Sequence, residues 1–162
     1  VIDSAENYCA VYKRAPVYYN IETKSMPEGD NIYHPLPGPF IEAIMQIILQ
    51  KNIADRIIIQ SFDIRTLQYL HQHYPEIKTA LLVEEDDKKT FAVQMKDLGF
   101  IPTIYSPAYQ LVTPLLVQQC HEMNIRLIPW TVNDKDTMKN LLKLGVDGLI
   151  SDYPDMFSSV KR

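Results

Sequence analysis

Short hydrophobic runs alternate with helix-like segments along most of the chain. The runs are nearly continuous in apolar character, as in strands that are buried on both faces of a parallel sheet. They cover residues 17–22, 56–61, 79–83, 102–105, 125–131 and 147–150. Between them, apolar residues recur at helical spacing in five segments, and a further helix is predicted over residues 2–12. This alternation predicts an α/β fold with a parallel sheet.

Residues with capping preferences mark the ends of several predicted helices. Asp63 and Thr113 are suited to accept hydrogen bonds from the first turn of a helix, and Asn133 is predicted to cap the helix that follows it. Gly145 stands where a helix commonly ends in a left-handed conformation. These signals place the helices directly between the predicted strands.

Two architectures fit this order of elements, a closed (β/α)8 TIM barrel and an open doubly wound sheet. No glycine-rich turn follows any strand, which weighs against the dinucleotide-binding and phosphate-loop versions of the open sheet. The active sites of TIM barrels gather at the carboxyl ends of the strands. Polar or aromatic residues that could take part in binding or catalysis stand at those positions here: Glu22, Lys24, Gln60, Ser61, Glu84, Glu85, Ser106, Trp130, Asn133, Ser151 and Asp152. The barrel is therefore favoured, although six strands are fewer than eight.

The composition describes a globular chain of one domain. Its 162 residues are 46% hydrophobic, and 16 Lys and Arg against 20 Asp and Glu give a formal net charge of −4. That balance argues against a nucleic-acid surface, and no apolar run approaches the roughly 20 residues of a membrane span. Cys9 and Cys120 lie among apolar neighbours and are interpreted as buried free thiols rather than a disulfide.

Glu22 and Lys24 are the first candidates for chemistry. Residues two apart in a strand share a face, and here that face would lie at the barrel mouth. A carboxylate there can ligate a hard divalent cation, and an ammonium beside it can hold a phosphate oxygen. The spacing alone favours a structural Glu–Lys pair over a site for chemistry.

Trp130 and the histidines have competing interpretations. Trp130 could form an apolar wall for a substrate or fill the core. His34 belongs to the long connection over residues 25–39, where it could contact substrate or be an ordinary solvated loop residue. His71, His73 and His121 fall in predicted helices away from strand ends, which indicates surface or packing roles.

Several segments together resemble the glycerophosphodiester phosphodiesterase family. Residues 19–25 (YNIETKS) resemble the family's N-I-E-I-K segment, and residues 60–63 (QSFD) its Q-S-F strand end. Residues 130–133 (WTVN) and 145–154 (GVDGLISDYP) are similar to its closing W-T-V-N and G-V-D-G-I-x-T-D-x-P signatures. The motifs follow the family's order and cover nearly the whole chain. Thr23 stands where the family usually has Ile, and Ser151 where it has Thr.

The resemblance implies a TIM barrel that hydrolyses glycerophosphodiesters to sn-glycerol 3-phosphate and an alcohol, with Mg²⁺ or Ca²⁺, in lipid and glycerol metabolism. It implies that Glu22 is one of three carboxylate metal ligands and that Lys24 neutralises charge at the phosphate. Trp130 and Phe62 would then line the side that holds the glycerol or its leaving group. The partner implied is a small-molecule phosphodiester, with no nucleic acid; the oligomeric state and the compartment, cytoplasm or outside it, stay open.

The family's H-R-G motif, E-x-D pair and following H-D are missing from this sequence. On the resemblance, those segments carry the catalytic histidines, the other two metal carboxylates and two strands. We therefore expect residues 1–162 to form one partial TIM-barrel domain with six of eight βα units, inactive alone. Two alternatives remain: a phosphodiesterase of the same barrel that acts on lysophospholipids or sphingomyelin-type diesters, and a barrel that binds without catalysis.

Overall fold

The computed structural model describes residues 1–160, so the last two residues of the predicted domain lie outside the described part. After an initial helix, five strands alternate with five further α-helices. The helices are α1 (Ile2–Val11), α2 (Pro37–Gln50), α3 (Ile64–His73), α4 (Phe91–Leu98), α5 (Pro114–Glu122) and α6 (Lys135–Leu144). The strands are β1 (Tyr19–Glu22), β2 (Ile57–Ser61), β3 (Lys78–Val83), β4 (Ile104–Pro107) and β5 (Arg126–Leu127).

The five strands form one parallel sheet in which neighbours in sequence are neighbours in space. All carboxyl ends therefore lie along one edge of the sheet, where Glu22 stands opposite Gln60. An unbroken sequential order is the strand order of a TIM barrel, whereas a doubly wound sheet reverses its order. Within residues 1–160, β1 is an edge strand that pairs only with β2.

The sixth predicted strand, over residues 147–150, is not a regular strand. It still runs along the chain that follows β5, because Asp147 N donates to Leu127 O at 2.9 Å and Ile150 N to Pro129 O at 2.9 Å. From Asp147 to Ile150 the chain advances three residues, whereas from Leu127 to Pro129 it advances two. One extra residue therefore interrupts the ladder of hydrogen bonds between the two segments. The described part of the barrel thus has five strands rather than the predicted six.

The core lies between the sheet and its helices. In β2, Ile57 and Ile59 are buried against helices, whereas Ile58 and Gln60, on the opposite face, are half-buried. The helices α2, α3, α5 and α6 bury one stripe each. Fully buried members of this core include Ile41, Met45, Ile48, Leu67, Leu70, Cys120, Leu127 and Met138. The inner face of the sheet is less covered, and that face carries Glu22.

The helix boundaries agree with the capping signals in all but one case. Asp63 accepts from Arg65 N at 3.1 Å, Thr113 caps α5, and Gly145 ends α6 at a φ of 101°. The cap of α6 is Asp134, not the predicted Asn133. One position further along, the Asp134 carboxylate reaches two backbone N–H groups of the first turn, which an amide with a single acceptor oxygen does less well.

Both cysteines are buried and free, as predicted. Burial raises the pKa of the Cys120 thiol to about 12. None of the helices within residues 1–160 combines the length and apolar character that crossing a membrane requires.

Candidate active site

A pocket of about 730 Å³ opens at the carboxyl edge of the sheet. Its walls come from the ends of β1, β2 and β3 and the residues that follow them, from the first turn of α3 and from α4. Of the four residues to which the resemblance assigns a role, Glu22, Lys24 and Phe62 line the pocket, and Trp130 does not. The parallel register brings these residues together although 38 positions separate Lys24 from Phe62.

Glu22 and Lys24 share this pocket without pairing with each other. Glu22 is the last residue of β1 and is half-buried, and Lys24 is exposed two residues further on. Among the described residues, neither side chain has a hydrogen-bond or ion-pair partner. The structural Glu–Lys pair that the spacing allowed therefore does not form, and a carboxylate and an ammonium are left available to a ligand.

Phe62 and Trp130 form an aromatic pair beside these charges. The two rings meet edge to face, with centroids 5.5 Å apart at an interplanar angle of 86°. Trp130 Nε1 donates to Ser106 O at 2.9 Å, which fixes the orientation of the indole. The Phe62 residue is 38% exposed. Phe62, with Trp130 packed against it, thus presents an apolar edge to the pocket.

The residues described do not make a complete metal site. A hard divalent cation takes at least six oxygen ligands, some of them water. The Glu22 carboxylate has the chemistry of a ligand for such a cation and lies at the carboxyl end of β1. However, no group of three or more His, Cys, Asp or Glu side chains within residues 1–160 is placed to hold a metal ion. Any cation bound here needs further protein ligands.

A polar network that the sequence analysis did not identify lies beneath Lys24. Thr23, which is 1% exposed, shares a 2.9 Å hydrogen bond with Thr66 of α3, and Ser61 Oγ donates to the Thr23 carbonyl at 2.8 Å. On the other side of Lys24, Ser25 Oγ donates to Asp63 Oδ2 at 2.9 Å. The backbone on both sides of Lys24 is therefore attached to the start of α3.

Arg65 joins that helix to the β1–α2 loop, which we define as residues 23–36. Its guanidinium donates to Asp63 at 2.7 and 2.9 Å and to Asp30 at 2.7 and 3.1 Å. Hydrogen bonds from Arg65 lower the pKa of Asp30. Burial alone would raise the pKa of Asp63, but the hydrogen bonds from Arg65 and Ser25 outweigh it and the pKa is lowered. Both carboxylates are thereby kept ionised around one guanidinium.

His34 is largely buried in the β1–α2 loop, so its interpretation as a solvated residue was wrong, while a contact with substrate stays a prediction. Its side chain is only 10% exposed. Nε2 accepts from Met26 N at 3.1 Å, and Nδ1 donates to Pro35 O at 2.9 Å. A Cβ on Gly29 would come within 2.5 Å of Nε2, so the β1–α2 loop closes tightly over this imidazole. His34 is a packing residue of that loop.

Asn133 lies at the same edge of the sheet, where it bonds residues that follow position 150. Its Nδ2 donates to Asp152 Oδ2 at 2.8 Å, and its Oδ1 accepts from Asp152 N at 3.0 Å and from Ser151 Oγ at 3.2 Å. These bonds explain why Asn133 does not cap α6. The remaining histidines lie away from the pocket, with His71 stacked on Phe100.

The comparisons with known proteins agree with this geometry. The model of the glycerophosphoryl diester phosphodiesterase family matches residues 9–156. A glycerophosphodiester phosphodiesterase from Caldanaerobacter subterraneus subsp. tengcongensis is 32% identical over 145 residues, 88% of this chain and 55% of the relative. One from Bacillus altitudinis is 31% identical over 156 residues, 94% of this chain and 59% of the relative.

A solved structure of an Oleispira antarctica phosphodiesterase, in complex with the product sn-glycerol-3-phosphate, superposes with a TM-score of 0.76 at 18% identity. The match covers 99% of this chain and 60% of that one. The likeness confirms the predicted fold class, an incomplete TIM barrel. The chain spans a little over half the length of these relatives.

Proposed function

Because the chain belongs to the glycerophosphoryl diester phosphodiesterase family, we propose that the complete protein hydrolyses glycerophosphodiesters to sn-glycerol 3-phosphate and an alcohol. The observation that carries this proposal is the pocket in which Glu22 and Lys24 stand side by side without partners. The unpaired ammonium suits the negative charge of a phosphodiester, and the unpaired carboxylate suits a cation that would bind beside it. The product bound to the Oleispira antarctica relative supports the same class of substrate.

Lys24 is proposed to bind a non-bridging oxygen of the phosphate. A single ammonium neutralises the charge of the diester in the ground state and the additional charge that develops as phosphorus is attacked. Its position at the exposed side of the pocket lets the side chain reach a ligand, while the backbone beneath it is held by Thr23 and Ser25. Lys24 would therefore act in both binding and catalysis.

Glu22 is proposed as one ligand of Mg²⁺ or Ca²⁺. Its half-buried carboxylate has no partner among the described residues, and an unpaired carboxylate at such a depth is stabilised by a cation. The remaining protein ligands would come from the part of the protein that this chain does not contain. We accordingly propose that the 162-residue chain alone does not turn over substrate.

Phe62 and Trp130 are proposed to hold the carbon skeleton of the glycerol or of the alcohol. Phe62 gives the pocket an apolar side close to its charged residues, and Trp130 packs edge to face against it. Such a side excludes water from the phosphate and strengthens its interaction with Lys24. It also orients the glycerol relative to the charged end.

The test is the hydrolysis of glycerophosphocholine by the complete protein, with and without a chelator, in parallel with the 162-residue chain. We expect turnover only by the complete protein, abolished by the chelator and restored by Mg²⁺ or Ca²⁺. Turnover that survives the chelator would contradict the role of the metal. Turnover by the 162-residue chain would contradict its proposed inactivity.

Glu22→Gln tests the carboxylate itself, since it removes the charge and keeps the size. We expect kcat/KM to fall about 100-fold or more, because the loss of a metal ligand weakens the main source of charge stabilisation. Glu76→Gln is the matched control, as Glu76 is an exposed acid before β3, at the opposite edge of the sheet. Equal losses in the two variants would refute a specific role for Glu22.

A further inference from the structure

The cluster around Arg65 attaches the β1–α2 loop to α3 at two points, both of which follow Lys24 in the chain. Directly after Lys24 the chain is held through Ser25 and Asp63, and further along it is held through Asp30. Arg65 is the only group that contacts both carboxylates in the part of the chain the structure describes. Without it, the two acids would face each other and the loop would lose its ionic connection to the helix.

Arg65 lines the pocket, but its contacts make it unsuited to bind an anion itself. Its Nε, Nη1 and Nη2 atoms all donate to the two carboxylates. One guanidinium against two carboxylates leaves the cluster with a formal charge of −1, which repels a phosphate. The cation that remains available beside it is Lys24, which has no partner among residues 1–160.

The geometry of the cluster requires an arginine. The planar guanidinium forks toward two carboxylates at once, whereas an ammonium is a compact point charge that cannot match both. The side chains of Asp63 and Asp30 are only 4% and 19% exposed and that of Arg65 is 30% exposed, so the cluster is partly shielded from solvent and from salt. A shielded, forked ion pair fixes the relative position of the two segments more firmly than an exposed one does.

We propose that Arg65 is a positioning residue that holds Lys24 in place for the phosphate of the substrate. It acts through Asp63 and Ser25 directly after Lys24, and through Asp30 further along the same loop. This inference rests on the proposed function, because it assigns Lys24 the phosphate. It goes further in naming the residue on which the placement of Lys24 depends.

A double-mutant cycle in the complete protein tests whether the placement of Lys24 depends on Arg65. Arg65→Met is expected to raise KM for glycerophosphocholine about tenfold with a smaller change in kcat, because it disturbs binding that substrate and transition state share. In a Lys24→Met background the same substitution is expected to cost less than about twofold, since the residue through which Arg65 acts is gone. Equal losses in both backgrounds would overturn the proposal.

Arg65→Lys and Arg56→Met complete the set. Arg65→Lys keeps the charge without the fork, so we expect a KM between those of the wild type and Arg65→Met. Arg56→Met breaks a similar ion pair at the other end of β1, with Glu6, and is expected to leave KM unchanged. A KM that rises equally in Arg56→Met and Arg65→Met would show a general loss of structure and overturn the proposal.

Hydrogen exchange of the backbone amides separates this inference from the proposed function. In Arg65→Met, exchange over residues 23–36 is expected to quicken, and in Arg56→Met it is expected to stay as in the wild type. Unchanged exchange over residues 23–36 in Arg65→Met would overturn the positioning role whatever the activity. If the wild type hydrolyses no glycerophosphodiester, the proposed function is wrong, and a Lys24 placed for phosphate is wrong with it. Arg65→Lys carries the same measurements if Arg65→Met does not fold.

Discussion

The two ends of β1 carry arginine–carboxylate clusters that look alike and leave different groups free. At the amino end, Arg56 donates to both oxygens of Glu6 at 2.8 and 2.9 Å, and Tyr19 OH donates to the same carboxylate. At the carboxyl end, Arg65 joins Asp63 and Asp30. The first cluster attaches α1 to the sheet, and the second attaches a loop to α3.

The difference lies in what stands beside each cluster. In the amino-end cluster the two charged groups, Glu6 and Arg56, are paired with each other. The carboxyl-end cluster lies next to Glu22 and Lys24, whose charges have no partner in the described part of the chain. Charges that are paired stabilise a geometry, whereas unpaired charges held on a fixed backbone are available to a ligand. The carboxyl end of β1 is therefore the end of the strand whose charged side chains are available to a ligand.

Among the substitutions that compare the carboxyl ends of the strands with their amino ends, Lys24→Met is expected to have the largest effect. Loss of the ammonium should lower kcat/KM for glycerophosphocholine about 100-fold, or about 3 kcal/mol of transition-state stabilisation. Lys78→Met is the control, because Lys78 is an exposed lysine at the first position of β3, on the amino edge. Steady-state kinetics of both variants measure the difference. A similar loss in Lys78→Met would mean that the two edges are not chemically distinct.

Gly29→Ala should have the next largest effect, by disturbing the loop above the carboxyl edge. Its Cβ would lie 2.5 Å from His34 Nε2, so the imidazole or the backbone must move, which we expect to cost about 1–3 kcal/mol of unfolding free energy. Gly148→Ala is the matched control, since its Cβ would meet Ile128 only at ordinary contact distances of 3.5 Å or more. Denaturant unfolding measures both. If the two variants are equally stable, the loop does not close tightly over His34.

Much of the fold was predictable from the sequence because strands and helix caps are local signals. Asp63, Thr113 and Gly145 act within a few residues of their position. The sixth strand was predicted wrongly because an interruption in a ladder depends on the neighbouring segment, which local hydrophobicity does not report. Asn133 was misassigned as a cap because its partners, Ser151 and Asp152, lie 18 and 19 positions away.

The charged candidates of the site came from a motif, but the groups that hold them did not. Glu22 and Lys24 stand in a recognisable segment at a strand end. Arg65 meets Asp30 across 35 positions, and no spacing in the sequence pairs them. Thr23, which departs from the residue usual in the family, is explained only by the hydroxyl of Thr66 opposite it. Roles that depend on long-range pairing require the three-dimensional structure.

Thr66→Val tests the neutral part of the support beneath Lys24. It leaves the buried hydroxyl of Thr23 without its partner, and we expect the free energy of unfolding to fall by about 1–2 kcal/mol. The double variant Thr23→Val, Thr66→Val replaces both hydroxyls with methyl groups and should recover much of that loss. Denaturant unfolding of the three proteins gives the comparison. A double variant that loses the sum of the single losses would show that the two hydroxyls do not act as a pair.

The smallest expected effect concerns the amino-end cluster and its dependence on pH. Hydrogen bonds from Arg56, then from Tyr19, hold the pKa of Glu6 at about 2, below its ordinary value of 4.5. A carboxylate whose pKa is lower in the folded state stabilises the protein fully above its unfolded pKa, and this contribution is lost as the pH falls toward the folded pKa. The window is therefore pH 4.5 to about 2, with stability decreasing on acidification.

Glu6→Gln removes this titration and keeps the shape of the side chain. The difference in unfolding free energy between wild type and Glu6→Gln should be constant above pH 5 or so and shrink below it, whereas phosphodiesterase KM at neutral pH should not change. Urea unfolding at several pH values measures the first quantity and steady-state kinetics the second. A difference that is independent of pH would show that Glu6 is not held ionised by Arg56. A raised KM would contradict the assignment of this cluster to structure alone, and with it the contrast between the two ends of β1.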